Sequence, residues 1–358
     1  MEKISWYRTS FGEEEVNELR ESVKKECISQ GPVTNKLEEK LAEKLNVPYA
    51  MVTTSGSVAL VMSMMAIGLK PYDEVIVPNR TWIATANAPL ITGAKVSLVD
   101  VVEDLPLIDA SQIEKKINSR TRAILPVHLN GRSNDMEAIN KIAKNYDLWV
   151  VEDACQALFS KNSNGYLGTQ SDIGCFSLGV TKLISTGQGG IIVTKNKELY
   201  ERLKLIRNNG TENVFVPEYQ IPGCNFKFTD LLASIGLVQL TKAEDRINHV
   251  TKIYSMYKDA VDSLDYLKMV HVNLSKGEIP LYVEVLCKKK QDLSEFLKSN
   301  GIETRPFLPD LNTTKYIEDK GVYPNSKTFS EQGLFLPCGP TQPIENIERV
   351  IDSLKKYQ

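Results

Sequence analysis

From residue 48 onward, short runs of apolar and β-branched residues recur, each followed by a Gly/Ser/Asn turn and then by a stretch with helical spacing. The runs at 49–53, 74–78, 95–100, 123–127, 148–152, 174–177 and 190–194 read as strands, because β-branched residues suit a pleated, buried surface. Helical stretches fit between most of them, at 58–69, 81–91, 110–117 and 135–146. Apolar strands alternating with helices predict an α/β fold with a mainly parallel central sheet covered on both faces. In such sheets ligands sit at the carboxyl ends of the strands. That edge is where chemistry is expected.

After about residue 240 the texture changes. A long helical pattern from 229 to about 264 leads to an apolar strand at 280–286, a helix at 290–300 and a Pro-rich loop at 305–310. A helix from 344 to about 357 closes the chain. The pattern divides the protein into a large domain, 1–245, with an N-terminal helical segment, and a smaller α+β domain, 246–358. Neither part contains an internal repeat.

Composition narrows the function classes. Hydrophobic residues make up 42% and charged residues 25% of the 358 residues, which excludes a disordered or fibrous chain. Lys+Arg 43 against Asp+Glu 45 leaves a net charge of −2, so no basic excess points to nucleic acid. An anionic ligand would have to be held by a few placed groups. The uncharged stretch at 50–69 has the length of a membrane span, but Thr53-Thr54-Ser55-Gly56-Ser57 breaks it into a strand, a polar turn and a buried helix. The six cysteines (27, 155, 175, 224, 287, 338) form no Cys-x-x-Cys pair and no metal-ligand spacing, and the start of the chain has no signal-sequence pattern. They are expected to be reduced core residues of a soluble cytoplasmic protein that binds neither membrane nor metal.

Three segments carry candidate chemistry. Thr54-Ser55-Gly56-Ser57 joins a strand to an apolar helix, so its backbone N–H groups lie at the positive end of the helix dipole, which suits a phosphate. Taken alone it is more often a plain turn with a serine N-cap. Glu152-Asp153-Ala154-Cys155-Gln156 follows a central strand, and an acid there must find a partner, such as a protonated ligand nitrogen. Ser177-Leu178-Gly179-Val180-Thr181-Lys182 is followed by Thr186-Gly187-Gln188-Gly189-Gly190. Desolvation beside such a turn favours a nucleophilic amine able to form a Schiff base, although taken alone a loop lysine is more often plain surface. Together these groups suggest pyridoxal phosphate, which needs a phosphate cradle, a carboxylate for its ring nitrogen, a lysine for its aldehyde and a flat group over its ring. Trp82, after Asn79-Arg80-Thr81, is placed to supply the flat group.

At this point the chain resembles the DegT/DnrJ/EryC1/StrS family of sugar aminotransferases, which have the aspartate-aminotransferase-like, type I fold. The match runs in family order from Gly31-Pro32 through Ser55-Gly56-Ser57, Asp73 to Pro78, Thr81 to Ala88, Pro126-Val127-His128-Leu129, Glu152-Asp153-Ala154 with Gln156, Phe176-Ser177 with Lys182, Gly187 to Gly190, Gly223-Cys224-Asn225-Phe226-Lys227 and Gly236 to Leu240. The resemblance implies that Lys182 binds the cofactor aldehyde, Asp153 the pyridinium and Gln156 the ring hydroxyl. Trp82 would stack on the ring, and Gly56, Ser57 and Ser177 would bind the phosphate. It implies too that Asn225 reaches the phosphate of a partner subunit, making the active unit a homodimer with shared sites.

Four positions depart from the family pattern: Gln188 where Glu is common, Lys227 for an Arg, Asn130 for an aromatic residue and Asn312 for a His. The last three lie in loops that supply substrate contacts in the family, and Lys227 is the one carried forward as a substrate-binding residue. His128 is given no catalytic role. The expected activity is transfer of an amino group from L-glutamate to a nucleotide-linked keto sugar or keto deoxysugar, releasing 2-oxoglutarate. Other family reactions on keto sugars or cyclitols, and a non-catalytic regulatory protein on the same scaffold, are the alternatives. The family's dehydratase branch has His at the lysine position, so Lys182 argues against it.

Overall fold

The computed structural model describes residues 2–319 and 321–357. Its larger sheet has seven strands: β1 (Tyr49–Thr53), β2 (Glu74–Pro78), β3 (Lys95–Val99), β4 (Thr121–Ile124), β5 (Trp149–Asp153), β8 (Ile173–Ser177) and β9 (Gly190–Thr194). The short hairpin β6 (Lys161–Asn162) and β7 (Gly165–Tyr166) lies between β5 and β8 in the chain. The spatial order is β1-β9-β8-β5-β4-β2-β3, and only β9 runs against the others. The predicted parallel sheet is present. Its strands are apolar almost throughout because helices cover both faces.

Boundaries shift in ways that matter. β5 runs one residue further than expected, so Asp153 is its last residue rather than the first of a turn. The helix after β2 is α4 (Ala84–Ile91), which leaves Trp82 in the turn before it. The stretch at 110–117 splits into one helical turn, α5 (Ala110–Ile113), and a 3₁₀ turn. The long pattern from 229 is two helices, α8 (Asp230–Thr241) and α9 (Ala243–Val261), broken at Lys242. A buried polar knot sits at that break: Gln239 accepts from Arg246 at 2.7 Å and donates to Glu15 at 2.7 Å. Glu15 belongs to α1 (Glu13–Lys24), within the N-terminal helical segment. Its acidic first turn suits the helix dipole.

The smaller sheet has the order β10-β11-β13-β12, all antiparallel, from β10 (Lys268–Met269), β11 (Val283–Leu286), β12 (Arg305–Pro306) and β13 (Gly333–Leu336). The strand expected at 280–286 is shorter because Pro280 has no N–H to give, and the Tyr282 N–H is taken by the Asn130 side chain. The first residues of the chain form a strap on this sheet's side. Ile4 N–H donates to Gly301 O, Glu303 N–H to Ile4 O, and Cys338 N–H to Trp6 O, at 2.8–2.9 Å. One apolar cluster joins Leu41, Val52 and Phe176 beneath the large sheet to Val283, Leu336 and Val350 of the smaller part. Three of the cysteines (175, 287, 338) are buried, but Cys27 and Cys155 are half-buried and Cys224 is exposed, so the expectation of six core residues holds for half of them. Among the described residues no helix is long and apolar enough to cross a membrane.

Candidate active site

A cavity of about 680 Å³ opens at the carboxyl ends of β1, β5 and β8, a size usual for a small-molecule site. Gly56, Ser57, Trp82, Asp153, Gln156, Ser177 and Lys182 all line it. Seven residues spread over 127 positions of sequence converge there because each follows or ends a strand pointing the same way.

The floor is the start of α3 (Gly56–Ala66). Ser55 caps it, accepting the Val58 N–H at 3.1 Å, which leaves the Gly56 and Ser57 N–H groups facing outward at the positive end of the dipole. Gly56 cannot be larger: a Cβ there would lie 2.9 Å from both Cys155 Sγ and Ser177 Cβ. Ser177 closes the same corner, its Oγ accepting the Gly179 N–H at 3.2 Å. This is a cradle for an anion the size of a phosphate.

Neighbouring acids on β5 have opposite fates, as the period-two alternation of a strand requires. Glu152 points away from the cavity and is fully buried. It accepts from His128 Nε2 (2.9 Å), the Gly168 and Gln170 N–H groups and Ser171 Oγ. Burial pushes this carboxyl up, but the His128 hydrogen bond and charge, with Ser171 and Gly168, outweigh it and hold it below the usual range. His128 is thus a structural partner, in line with its having no catalytic role. Asp153 points into the cavity and keeps room for a ligand. One oxygen accepts from Thr85 Oγ1 at 2.7 Å and the other from the Cys155 N–H at 3.1 Å.

Lys182 is half-buried, not fully desolvated, and among the described residues its ammonium has no ion-pair partner. Beside it, burial first and then the Asp153 charge push the Cys155 thiol well above its ordinary range. Cys155 therefore stays a neutral thiol and does not compete with the amine. Gln156 Oε1 accepts the Asn130 N–H at 2.9 Å, which commits its oxygen and leaves its NH₂ to donate to a ligand. Trp82, 52% exposed at the cavity wall, offers a free indole face.

Sequence reasoning missed the opposite wall. Trp6, Tyr282, Arg305, Phe307 and Phe335 come from the strap and the smaller sheet. They form a chain of rings, with Trp6–Tyr282 centroids at 5.9 Å, Tyr282–Phe335 at 5.3 Å and Phe307–Phe335 at 4.6 Å. No local motif marks them. Two expected residues lie elsewhere: Asn225 is exposed and Lys227 half-buried on the segment after loop 208–222, and neither lines this chain's cavity. Asn130 and Asn312 also stay outside it. Asn312 is tied to Asn79 by two hydrogen bonds: its Oδ1 accepts from Asn79 Nδ2 at 3.1 Å, and its backbone N–H donates to Asn79 Oδ1 at 2.9 Å.

An anion cradle at a helix start, a carboxylate with an open side and an unpaired lysine, all at one sheet edge, define a pyridoxal-phosphate enzyme of the aspartate-aminotransferase type. The model of the DegT/DnrJ/EryC1/StrS aminotransferase family matches residues 9–355, and the chain belongs to that family. It is a PLP-dependent aminotransferase. It is 35% identical to GDP-perosamine synthase of Escherichia coli O157:H7, over 100% of this chain and 99% of that one. Among solved structures it is similar to DesV of S. venezuelae, at 27% identity and TM-score 0.95, covering 99% of this chain and 98% of that one. It is also similar to a mutant GDP-4-keto-6-deoxymannose-3-dehydratase (ColD) with bound GDP-perosamine, at 25% identity and TM-score 0.90, covering 98% and 100%.

Proposed function

We propose that the protein transfers an amino group from L-glutamate to a nucleotide-linked keto sugar or keto deoxysugar, in the cytoplasm, for amino-sugar biosynthesis. The convergence of Lys182, Asp153, Gln156 and the Gly56–Ser57–Ser177 cradle in one cavity carries this reading. GDP-perosamine, named as what one relative makes and as the molecule bound to another, supports a nucleotide sugar as substrate. Lys182 favours amination over the dehydratase chemistry named for ColD. Residues 1–245 are read as the cofactor-binding domain and 246–358 as the smaller domain.

When bound, the cofactor supplies an aldehyde that amines condense with and an electron-poor ring that takes up electrons as a substrate proton leaves. Gly56, Ser57 and Ser177 would hold its phosphate, Asp153 its ring nitrogen and Gln156 its ring hydroxyl, under the Trp82 face. Lys182 Nζ would hold the aldehyde and, with the donor amine in its place, would act as the general base for the proton on the donor's α carbon. In the second half it delivers a proton to the sugar carbon that receives the amine. Asp153, anchored by Thr85, keeps the ring nitrogen protonated.

The active unit on this reading is a homodimer. Loop 208–222 exposes Val214, Phe215, Val216 and Tyr219, with Phe215 at 91%, which is costly for an isolated chain and suits a partner. It would carry Asn225 to the phosphate, and Lys227 to the substrate, of the neighbouring subunit. The decisive experiment supplies glutamate with a panel of GDP-, UDP- and dTDP-linked keto sugars and follows 2-oxoglutarate release. Release dependent on one of these sugars supports the reading; release with none of them rejects it.

A further inference from the structure

Three of the described residues lining the cavity carry a charge: Asp153, Lys182 and Arg305. The first two are committed to the cofactor. Both substrates of the proposed reaction are anions, glutamate through its carboxylates and the sugar through its diphosphate. Within one chain, Arg305 is the cation left to meet them. The family's His position gives no help, because Asn312 is tied to Asn79 and lies outside the cavity.

Arg305 is also held ready. Its backbone is paired in β12, opposite Phe335 of β13. Its guanidinium lies over the Trp6 ring at 5.9 Å, a cation–π contact that orients the planar fork without using up its donors. Its ion-pair partner is Glu303 at 2.9 Å, in a pair whose arginine side chain is 55% exposed. Such a pair is worth little and is readily exchanged for a stronger anion.

Depth decides which anion it meets. The carbon that reacts must reach Lys182, and the α-carboxylate of glutamate is one bond from that carbon, so it lies deep. The diphosphate of a nucleotide sugar is separated from the keto carbon by the sugar ring, so it lies toward the mouth. Arg305, its side chain 55% exposed where Lys182 is half-buried, is on the solvent side of the cavity, whose lining it shares with Trp6, Tyr282, Phe307 and Phe335. We infer that Arg305, seated on Trp6, is the anchor for the diphosphate of the sugar substrate, with the aromatic wall facing the sugar. This rests on the nucleotide-sugar reading above, and it names the residue that selects for it. Phosphate recognition by a planar, two-pronged donor is what arginine does best.

The test separates nucleotide binding from donor chemistry. Holoenzyme is titrated calorimetrically with GDP, UDP and dTDP, and the glutamate half-reaction is followed by cofactor absorbance with no sugar present. At least one nucleotide should bind wild type. Arg305→Gln should weaken that binding about ten- to a hundredfold, Arg305→Lys should recover part of it, and the glutamate half-reaction should serve as an unshifted reference. Lys227→Gln, the competing cation from a partner, should weaken it less. The anchor is overturned if wild type binds a nucleotide and Arg305→Gln binds it equally well, or if the glutamate half-reaction falls in parallel. Wild type that reacts with glutamate yet binds none of the three nucleotides overturns the nucleotide-sugar reading itself.

Discussion

The cavity wall built by the seven-stranded sheet and the wall built by the strap and smaller sheet differ in kind. The first is made of short polar segments at strand ends, each fixed by its own secondary structure: a capped helix start, the last residue of β5, the turn after β8. The second is made of large side chains brought from residues 6, 282, 305, 307 and 335, positioned by long-range backbone pairing. The first wall suits a constant ligand, the cofactor. The second, on the function proposed above, faces the sugar. Variants of the first wall should therefore stop all chemistry, and variants of the second should change which substrate is used.

The largest effect is expected at Lys182. Lys182→Ala should retain cofactor through the cradle and Asp153 but lose turnover by about a thousandfold or more, since one group serves as both nucleophile and proton carrier. Borohydride treatment of wild type should attach the cofactor to Lys182, as read by peptide mapping. Attachment at another lysine, or turnover retained in the variant, would place the chemistry elsewhere. Asp153→Asn comes next. Cofactor should remain bound, while both half-reactions fall roughly a hundredfold because an amide cannot hold the ring proton in place. Wild-type rates at matched occupancy would mean that the open oxygen of Asp153 does not face the ring nitrogen.

These residues were the ones the sequence made readable, and the reason is local. A strand followed by a turn and a lysine, or by paired acids, can be recognised without knowing what lies opposite. The resemblance had already singled out Asp153, and the alternation along β5 supplies the physical reason that it faces the cavity while Glu152 turns away. Trp6 could not be read in this way. Its place depends on Ile4 pairing with Gly301 and Glu303 and on Trp6 O accepting from Cys338, each across more than 290 residues of chain, and no local pattern encodes that. The break between α8 and α9 escaped for a similar reason, since Gln239 and Arg246 fit one helical pattern until Glu15 joins their knot.

A smaller effect tests whether the first wall is complete within one chain. Lys182→Ala and Asn225→Ala subunits, each impaired alone, are mixed under exchange conditions. If Asn225 serves the neighbour's cradle, mixed dimers collect both defects in one site and leave the other intact. Activity should rise to about a quarter of wild type, because half the dimers in an even mixture are mixed and each has one working site of two. Mixing that restores nothing, with an Asn225→Ala parent that is itself badly impaired, would show that Asn225 serves its own chain.

The smallest expected effect is the most discriminating, because one residue touches both walls. Asn130 is fully buried, and its backbone N–H holds Gln156, on the cofactor side, at 2.9 Å. Its side chain grips the Tyr282 backbone on the substrate side, accepting from the N–H at 2.6 Å and donating to the carbonyl at 3.0 Å. Its φ of 55° is left-handed, so Asn130→Gly removes the side chain without adding backbone strain and keeps the N–H. The cofactor dissociation constant should then change by less than about threefold, since the Gln156 contact survives. The KM for the sugar should rise about three- to tenfold as Tyr282 loosens, and global stability should fall by about 2–3 kcal/mol for the unpaired Tyr282 backbone groups. Absorbance titration of the cofactor, initial rates and denaturant unfolding measure the three. If cofactor affinity falls as much as sugar affinity, the two walls move as one unit and the division between them is only a matter of where the residues come from.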